Sequence, residues 1–415
     1  MAAADVISNL KELAARTSTP DGAQRLAWGP VWRDARAWFL GKASDSGARA
    51  TTDAAGNRWL TLPGDSDRTV ILGGHLDSVP NGGWLDGCLG VLAGLEVLRL
   101  FGRQRPPVTL KLVDWADEEG ARFGRSLLGS SAASGSLDVN DIRLLVDRGG
   151  TTIVDALREN GVELDAMLGA HGELQAIDAR AYLELHIEQG PTLESLNKSG
   201  GAVLGTFGVE RHLVRFTGQT AHSGSTPMAM RRDAFLAAAE TALACREMAR
   251  AQSDQGVPAV CTVGKIDAKP GIVTAIPGIC EMTLDQRALD PAVLAGIHRE
   301  AREASERIAA KNDVSVEWQL IWRIEPRLFD PRLIELCAES LREVTGDAPR
   351  LPSGALHDAA EMAPHMPVVM MFAYSSRGLS HCKQEDTPEP HLERAITAFL
   401  RLAEKTIAAV AAKTI

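Results

Sequence analysis

Apolar and polar positions change their period several times along the 415 residues. The opening run "AAADVISNLKELAART" spaces its apolar residues by three and four, which predicts an amphipathic helix. "RTVIL", running into "GGHLD", is continuous and β-branched and predicts a buried strand over 69–77. "LGVLAGLEVLRLF" at 89–101 then predicts a helix, and "VTLKLVDWADEEG" at 108–120 a second strand. Strand, helix and strand in that order make a βαβ unit, hence a mostly parallel sheet with helices on its faces. "AYLELHIEQG" at 181–190 is a further strand that ends in polar residues. Over 211–322 the pattern differs: the strand-like runs "HLVRFTG", "AVCTVGKIDA", "ICEMTLDQRA" and "VSVEWQLIW" are interleaved with two long helical patterns. The α/β alternation resumes with a helix at 331–345, a strand ending at 374 and a last helix from about 389. The prediction is an α/β fold: one domain of residues 1–210 and 325–415 with a mostly parallel sheet flanked by helices, and an inserted smaller α+β domain over 211–324.

Composition changes this picture little. Hydrophobic residues at 45% and charged ones at 24% are ordinary for a globular chain, and the length favours two domains over one core. A net charge of −10 without a dense Lys/Arg block argues against nucleic acid as a partner. Cys88, Cys245, Cys261, Cys280, Cys337 and Cys382 lack CxxC spacing and read as reduced thiols. The start shows no basic n-region followed by an apolar h-region, and no run approaches the ~18 apolar residues of a membrane span. A cytoplasmic location with no membrane partner is the expectation.

The chemistry-bearing residues each have a bland reading. Asp117-Glu118-Glu119 could be a solvated acidic turn, His186 a structural strand histidine and His381 a loop histidine. Their shared position outweighs this: His75, Asp86, Glu119, His186 and His381 all fall late in, or just after, predicted strands. In a parallel sheet those ends share one edge, where ligands collect. Imidazoles and carboxylates converging there would suit zinc, manganese or cobalt.

Taken in order, "GGHLDSVPNGGWLDGCLGVLAG", "WADEEGARFGRSLLGS", "LHIEQGPTLE", "HSGSTPMAMRRDA", "TLDQR", "SGALHDA" and "GLSH" resemble the hydantoinase/carbamoylase family of di-metal amidohydrolases. That family includes N-carbamoyl-L-amino-acid hydrolases, β-ureidopropionases and allantoate amidohydrolases, within the aminoacylase/glutamate-carboxypeptidase superfamily. The resemblance implies two divalent metal ions (Zn, Mn, Co or Ni) per subunit. It assigns His75 and His186 to one, Glu119 and His381 to the other, and Asp86 as the bridge. It implies a hydroxide between the ions as nucleophile, Glu118 as general base, and Asp77 as the carboxylate that orients the His75 ring. His222, in the inserted domain, matches a histidine that serves the opposite subunit's site, so a homodimer with a dimerisation/lid domain is implied. Arg287 matches the arginine that grips a substrate carboxylate, as its planar fork suits. Gln189 and His357 are further substrate-side candidates, though His357 reads better as a residue holding its loop.

The chain departs from the family on the substrate side. Thr274 stands where an asparagine is usual, Leu356 replaces a glycine, Ser223 an alanine, and Glu210 a neutral or basic residue. "CKQED" after "SH" replaces the usual proline-containing run. Such changes alter which hydrogen-bonding pattern a pocket accepts. The expected function is cleavage of a linear amide or ureido C–N bond in a small carboxylated substrate, foremost an N-carbamoyl-L-amino acid. Allantoate or another ureido acid, or an N-acyl amino acid, is the alternative, and a non-catalytic metal-containing binding protein the remote one.

Overall fold

The computed structural model describes residues 2–415, which pack as two units: residues up to Leu204 with Phe329–Ile415, and Gly205–Leu328. The expected boundary at 211 would cut the single ten-residue strand Gly208–Thr217, all of which pairs within the smaller unit.

In the larger unit four strands run parallel in the order Val368–Ala373, Ala179–Ile187, Thr69–His75, Thr109–Trp115. The sheet is mixed rather than parallel throughout. Gly200–Thr206 adds antiparallel to Val368–Ala373 at one side, and the hairpin Arg49–Thr52/Arg58–Leu62 adds antiparallel at the other. All residues of Thr69–His75 and of Val368–Ala373 are buried, as strands covered on both faces must be. One group of helices, Ala2–Thr17, Cys88–Gly102, Pro331–Thr345 and Glu389–Ala411, packs together against these strands. A second group, Leu128–Ser134, Gly169–Gln175 and Asp358–Met362, packs together, with Asp358–Met362 against the strands Val368–Ala373, Ala179–Ile187 and Thr69–His75. The strand Thr69–His75, helix Cys88–Gly102 and strand Thr109–Trp115 realise the expected βαβ unit.

The smaller unit is a four-stranded antiparallel sheet ordered Ala259–Lys269, Ile279–Ala288, Gly208–Thr217, Ser315–Ile324. Ile279–Ala288 alternates buried with more exposed residues, the period-2 signature of a sheet with one covered face. Helices Ala234–Asp254 and Pro291–Lys311 pack against it and start on Asp233 and Asp290, whose carboxylates accept from the first-turn N–H groups. No helix among the described residues is long and apolar enough to cross a membrane, and all six cysteines are free thiols.

Beneath the carboxyl edge of the parallel strands lies a buried ion pair. Arg36 Nε donates to Asp114 Oδ2 at 2.6 Å, its other nitrogens reach the carbonyls of Gly56 and Asp114, and its guanidinium stacks on Trp32. Asp114 Oδ1 accepts from Leu76 N at 2.8 Å and so fixes the backbone between His75 and Asp77. Removing one partner leaves a buried uncompensated charge, which costs about 3–5 kcal/mol. Asp114→Ala is therefore expected to lower stability by about 3 kcal/mol or more, read as a lower urea midpoint; an unchanged midpoint would contradict the role given to this pair.

Candidate metal centre

The edge where the parallel strands end collects the predicted residues. His75 closes its strand, His186 sits one residue before the end of Ala179–Ile187, and Asp117–Glu119 follow Thr109–Trp115. Asp86 precedes the N-terminus of helix Cys88–Gly102, and His381 lies in the loop after Val368–Ala373. Two groups of ligand atoms form here, each with all members within 4.8 Å: His75, Asp86 and His186, and Asp86, Glu119 and His381. Asp86 belongs to both. Its Oδ1 lies 3.0 Å from His186 Nε2 and 3.6 Å from His75 Nε2, and its Oδ2 lies 3.4 Å from His381 Nε2. Glu119 Oε2 is 3.3 Å from His381 Nε2.

The surrounding chain fixes which nitrogen each ring presents. His186 Nδ1 is 2.8 Å from the Ile187 carbonyl, and His75 Nδ1 is 3.2 Å from the Asp77 carbonyl. Bonds to carbonyls require Nδ1–H, so in the neutral ring Nε2 carries the free lone pair. The Asp77 carboxylate lies 3.6 Å from His75 Nδ1, and its two oxygens accept from Glu118 N and Glu119 N, tying the acidic turn to the His75 strand. Gly87, at φ +65°, lets the chain pass over the His75 ring, for a Cβ there would lie 2.4 Å from it.

The donor set fits a pair of divalent cations. Oxygen and imidazole ligands suit zinc, manganese, cobalt and nickel. His75 Nε2 is buried and has no hydrogen-bond partner among the described residues, although it faces Asp86 at 3.6 Å and Glu118 at 3.8 Å. Without a cation this crowd of anions holds protons. Burial opposes charge on His75, but Glu118, Asp86 and Asp77 outweigh it and raise its pKa well above the ordinary value. Its bond to Asp86, with Glu119 adding to it, pushes His381 up to about 9. Burial, with Asp86, pushes Glu119 up to about 7, and burial raises Glu118 well above the usual carboxylate range.

The remaining candidates fall in several places. Glu118 is buried with its carboxylate 3.8 Å from His75 Nε2, a position from which it can take a proton. Gln189 Nε2 donates to Asp86 Oδ2 at 2.8 Å and to Ser380 Oγ at 3.1 Å, so here it braces the carboxylate shared by the two groups. His357 is buried, bonds Ser353 Oγ through Nε2 at 2.9 Å and stands edge-on to His186; it forms a third group with Glu184 and His186 that shares the His186 ring. Leu356 beside it is half-buried.

In the smaller unit His222 pairs with Ala275, and Ser223 N donates to the Thr274 carbonyl at 2.9 Å. Arg287 Nε donates to Asp285 Oδ1 at 2.8 Å. The unusual Glu210 is buried against Arg323 at 3.2 Å. Sequence reasoning missed Glu385, buried with its carboxylate on the Leu85 and Asp86 amides. It also missed Trp28, whose indole donates to Asp117 at 2.7 Å.

The model of peptidase family M20/M25/M40 matches residues 71–405. The chain is 33% identical over 371 residues to allantoate amidohydrolase of Escherichia coli (strain K12), with 88% of each covered. It is 34% identical over 370 residues to N-carbamoyl-L-amino acid amidohydrolase of Geobacillus stearothermophilus, again with 88% of each covered. The crystal structure of a hydantoinase/carbamoylase-family amidase from Burkholderia multivorans is similar at a TM-score of 0.86 and 31% identity, covering 96% of both chains.

Metal ligation requires neutral imidazoles and ionised carboxylates, so cation uptake by this cluster must expel protons. At pH 7 His381, at about 9, starts out charged, and the raised pKa of His75 favours its charged form. Affinity is therefore expected to rise from pH 6 to 9. Calorimetry of zinc binding at pH 7, in buffers of different ionisation enthalpy, should show net proton release; heats independent of buffer would contradict the electrostatic reading.

Proposed function

The chain belongs to the peptidase M20/M25/M40 family and is a hydrolase of non-peptide C–N bonds, and on that footing we propose that it hydrolyses ureido acids, foremost N-carbamoyl-L-amino acids. The observation that carries the reading is Asp86, shared by two ligand groups, with Glu118 at their edge. His75, Asp86 and His186 would hold one cation and Asp86, Glu119 and His381 the other. Bound divalent ions acidify water and polarise a carbonyl oxygen.

The chain's residues supply the rest. Glu118 takes the proton of the attacking water and returns it to the leaving amine nitrogen. One water and one N-carbamoyl-L-amino acid then give the amino acid and carbamate, which breaks down to carbon dioxide and ammonia. Arg287, its guanidinium oriented by Asp285, would bind the substrate carboxylate. The nearly equal identity to an allantoate amidohydrolase and to a carbamoyl-amino-acid amidohydrolase supports the ureido acid as the common feature. Thr274, Ser223 and Leu356 would set which one is taken.

A homodimer is part of the proposal. His222 Nδ1 accepts from the amides of Gly224 and Ser225 at 3.1 and 3.2 Å, so its proton sits on Nε2. An exposed ring fixed as an Nε2–H donor is suited to an oxyanion in the partner's site. Six free cysteines agree with a reducing compartment such as the cytoplasm.

Ammonia and amine release should be measured for protein loaded with manganese, cobalt or zinc, on N-carbamoyl-L-amino acids, allantoate, N-carbamoyl-β-alanine and N-acetyl amino acids. Turnover of a ureido acid is expected. Silence on all of them with activity on an acyl amide would overturn the substrate class. Glu118→Gln should lower kcat by about 10²–10⁴-fold with metal content nearly unchanged; full activity would remove Glu118 from its role. Mixing inactive His222→Ala with inactive Glu118→Gln subunits should restore activity, and none returning after proven subunit exchange would count against service across the dimer.

A further inference from the structure

We propose that Glu385 is a positioning residue of the metal centre, bolting the Asp86 turn to the His381 loop and so setting the spacing at which both cations are held. The proposal rests on the two-metal reading above.

Glu385 is 2% exposed, in a loop some 300 residues along the chain from the Asp86 turn. Its carboxylate hydrogen bonds go to the two ligand loops. Oε1 accepts from Leu85 N and Asp86 N, both at 3.0 Å, and Oε2 lies 3.0 Å from Ser380 Oγ. Ser380 Oγ in turn lies 3.0 Å from Asp86 Oδ2 and accepts from Gln189 Nε2. Ser380 has one hydroxyl proton and donates to one of Glu385 and Asp86 at a time, but its contacts with both, together with the Asp86 amide on Glu385, link the two carboxylates in a ring. Burying a carboxylate is costly unless its bonds are made, and here both oxygens are bonded to groups that carry or touch metal ligands.

The turn is shaped for this carboxylate. A Cβ on Gly83 would lie 2.1 Å from Glu385 Oε1 and 2.1 Å from its carboxyl carbon. Glycine at 83 is thus the space into which Glu385 fits. Because Asp86 is common to both ligand groups and His381 shares the Glu385 loop, a shift of this bolt moves ligands of both ions together. A merely structural tie would have no reason to end on the amide of the bridging residue.

The test is metal retention, by mass spectrometry and metal-buffered titration with zinc and manganese, together with kcat and KM. The proteins are the full chain and its Glu385→Ala, Glu385→Gln and Gly83→Ala variants. Glu385→Ala is expected to weaken binding of both ions about 10–100-fold and to lower kcat more than it raises KM, with excess metal recovering part of the loss. Glu385→Gln keeps the Oε1 acceptor and offers Ser380 an N–H, so it should recover most of the affinity. Gly83→Ala should reproduce the loss with Glu385 still present, which separates displacement of the carboxylate from misfolding of one variant. Wild-type affinity for both ions in Glu385→Ala, whatever its melting temperature, would overturn the proposal, as would a Gln variant as poor as Ala. A wild-type chain that takes up no pair of ions would sink the two-metal reading, and this proposal with it.

Discussion

The buried carboxylate of Asp86 is the constraint on which the rest of the structure depends. It faces three imidazole nitrogens at 3.0–3.6 Å, from three separate segments of the chain. Around it Asp77, Glu118, Glu119 and Glu385 are also at least mostly buried, a concentration of anions in one small volume. Unpaired buried charge is among the most expensive features a fold can carry. Protons relieve it in the free protein: the carboxylates raise the pKa of His75 and push His381 up to about 9, and burial pushes Glu119 up to about 7. Divalent cations would relieve it more completely, and the candidate ligand groups around Asp86 offer them oxygen and imidazole donors.

The scaffold supports this cluster in layers. Parallel strands bring His75, the acidic turn and His186 to one edge, because neighbouring parallel strands end on the same side. Asp77 then ties the acidic turn to the His75 strand, and the Arg36–Asp114 pair fixes the backbone beneath it. Glu385 and Gln189 hold Asp86 from the other side. Each support acts through a hydrogen bond to a backbone amide or to a carboxylate oxygen of Asp86, so the candidate ligands are held in place by the fold itself.

Much of this was legible in the sequence, for identifiable reasons. Long apolar periods mark buried elements, so the Pro331–Thr345 helix and the Ile279–Ala288 strand stand where the pattern predicts them. The five ligand candidates announced themselves by lying at strand ends within motifs of a known order. What escaped was carried by contacts between distant segments. The hairpin Arg49–Thr52/Arg58–Leu62 begins with a fully exposed, polar strand and carries little hydrophobic signal. Glu385 sits in "CKQED", a polar run with no apolar period to mark it, and the fold buries it against Asp86. Gln189, expected toward substrate, is seen bracing Asp86, a role its position next to a strand end does not reveal. Periodicity reports faces, and it is blind to which polar side chain a remote glycine makes room for.

The most direct test of the account is anomalous diffraction from crystals of the full chain grown with manganese or zinc. The account predicts two anomalous peaks sharing Asp86, one against His75 and His186 and the other against Glu119 and His381. A single peak, or peaks away from Asp86, would contradict it.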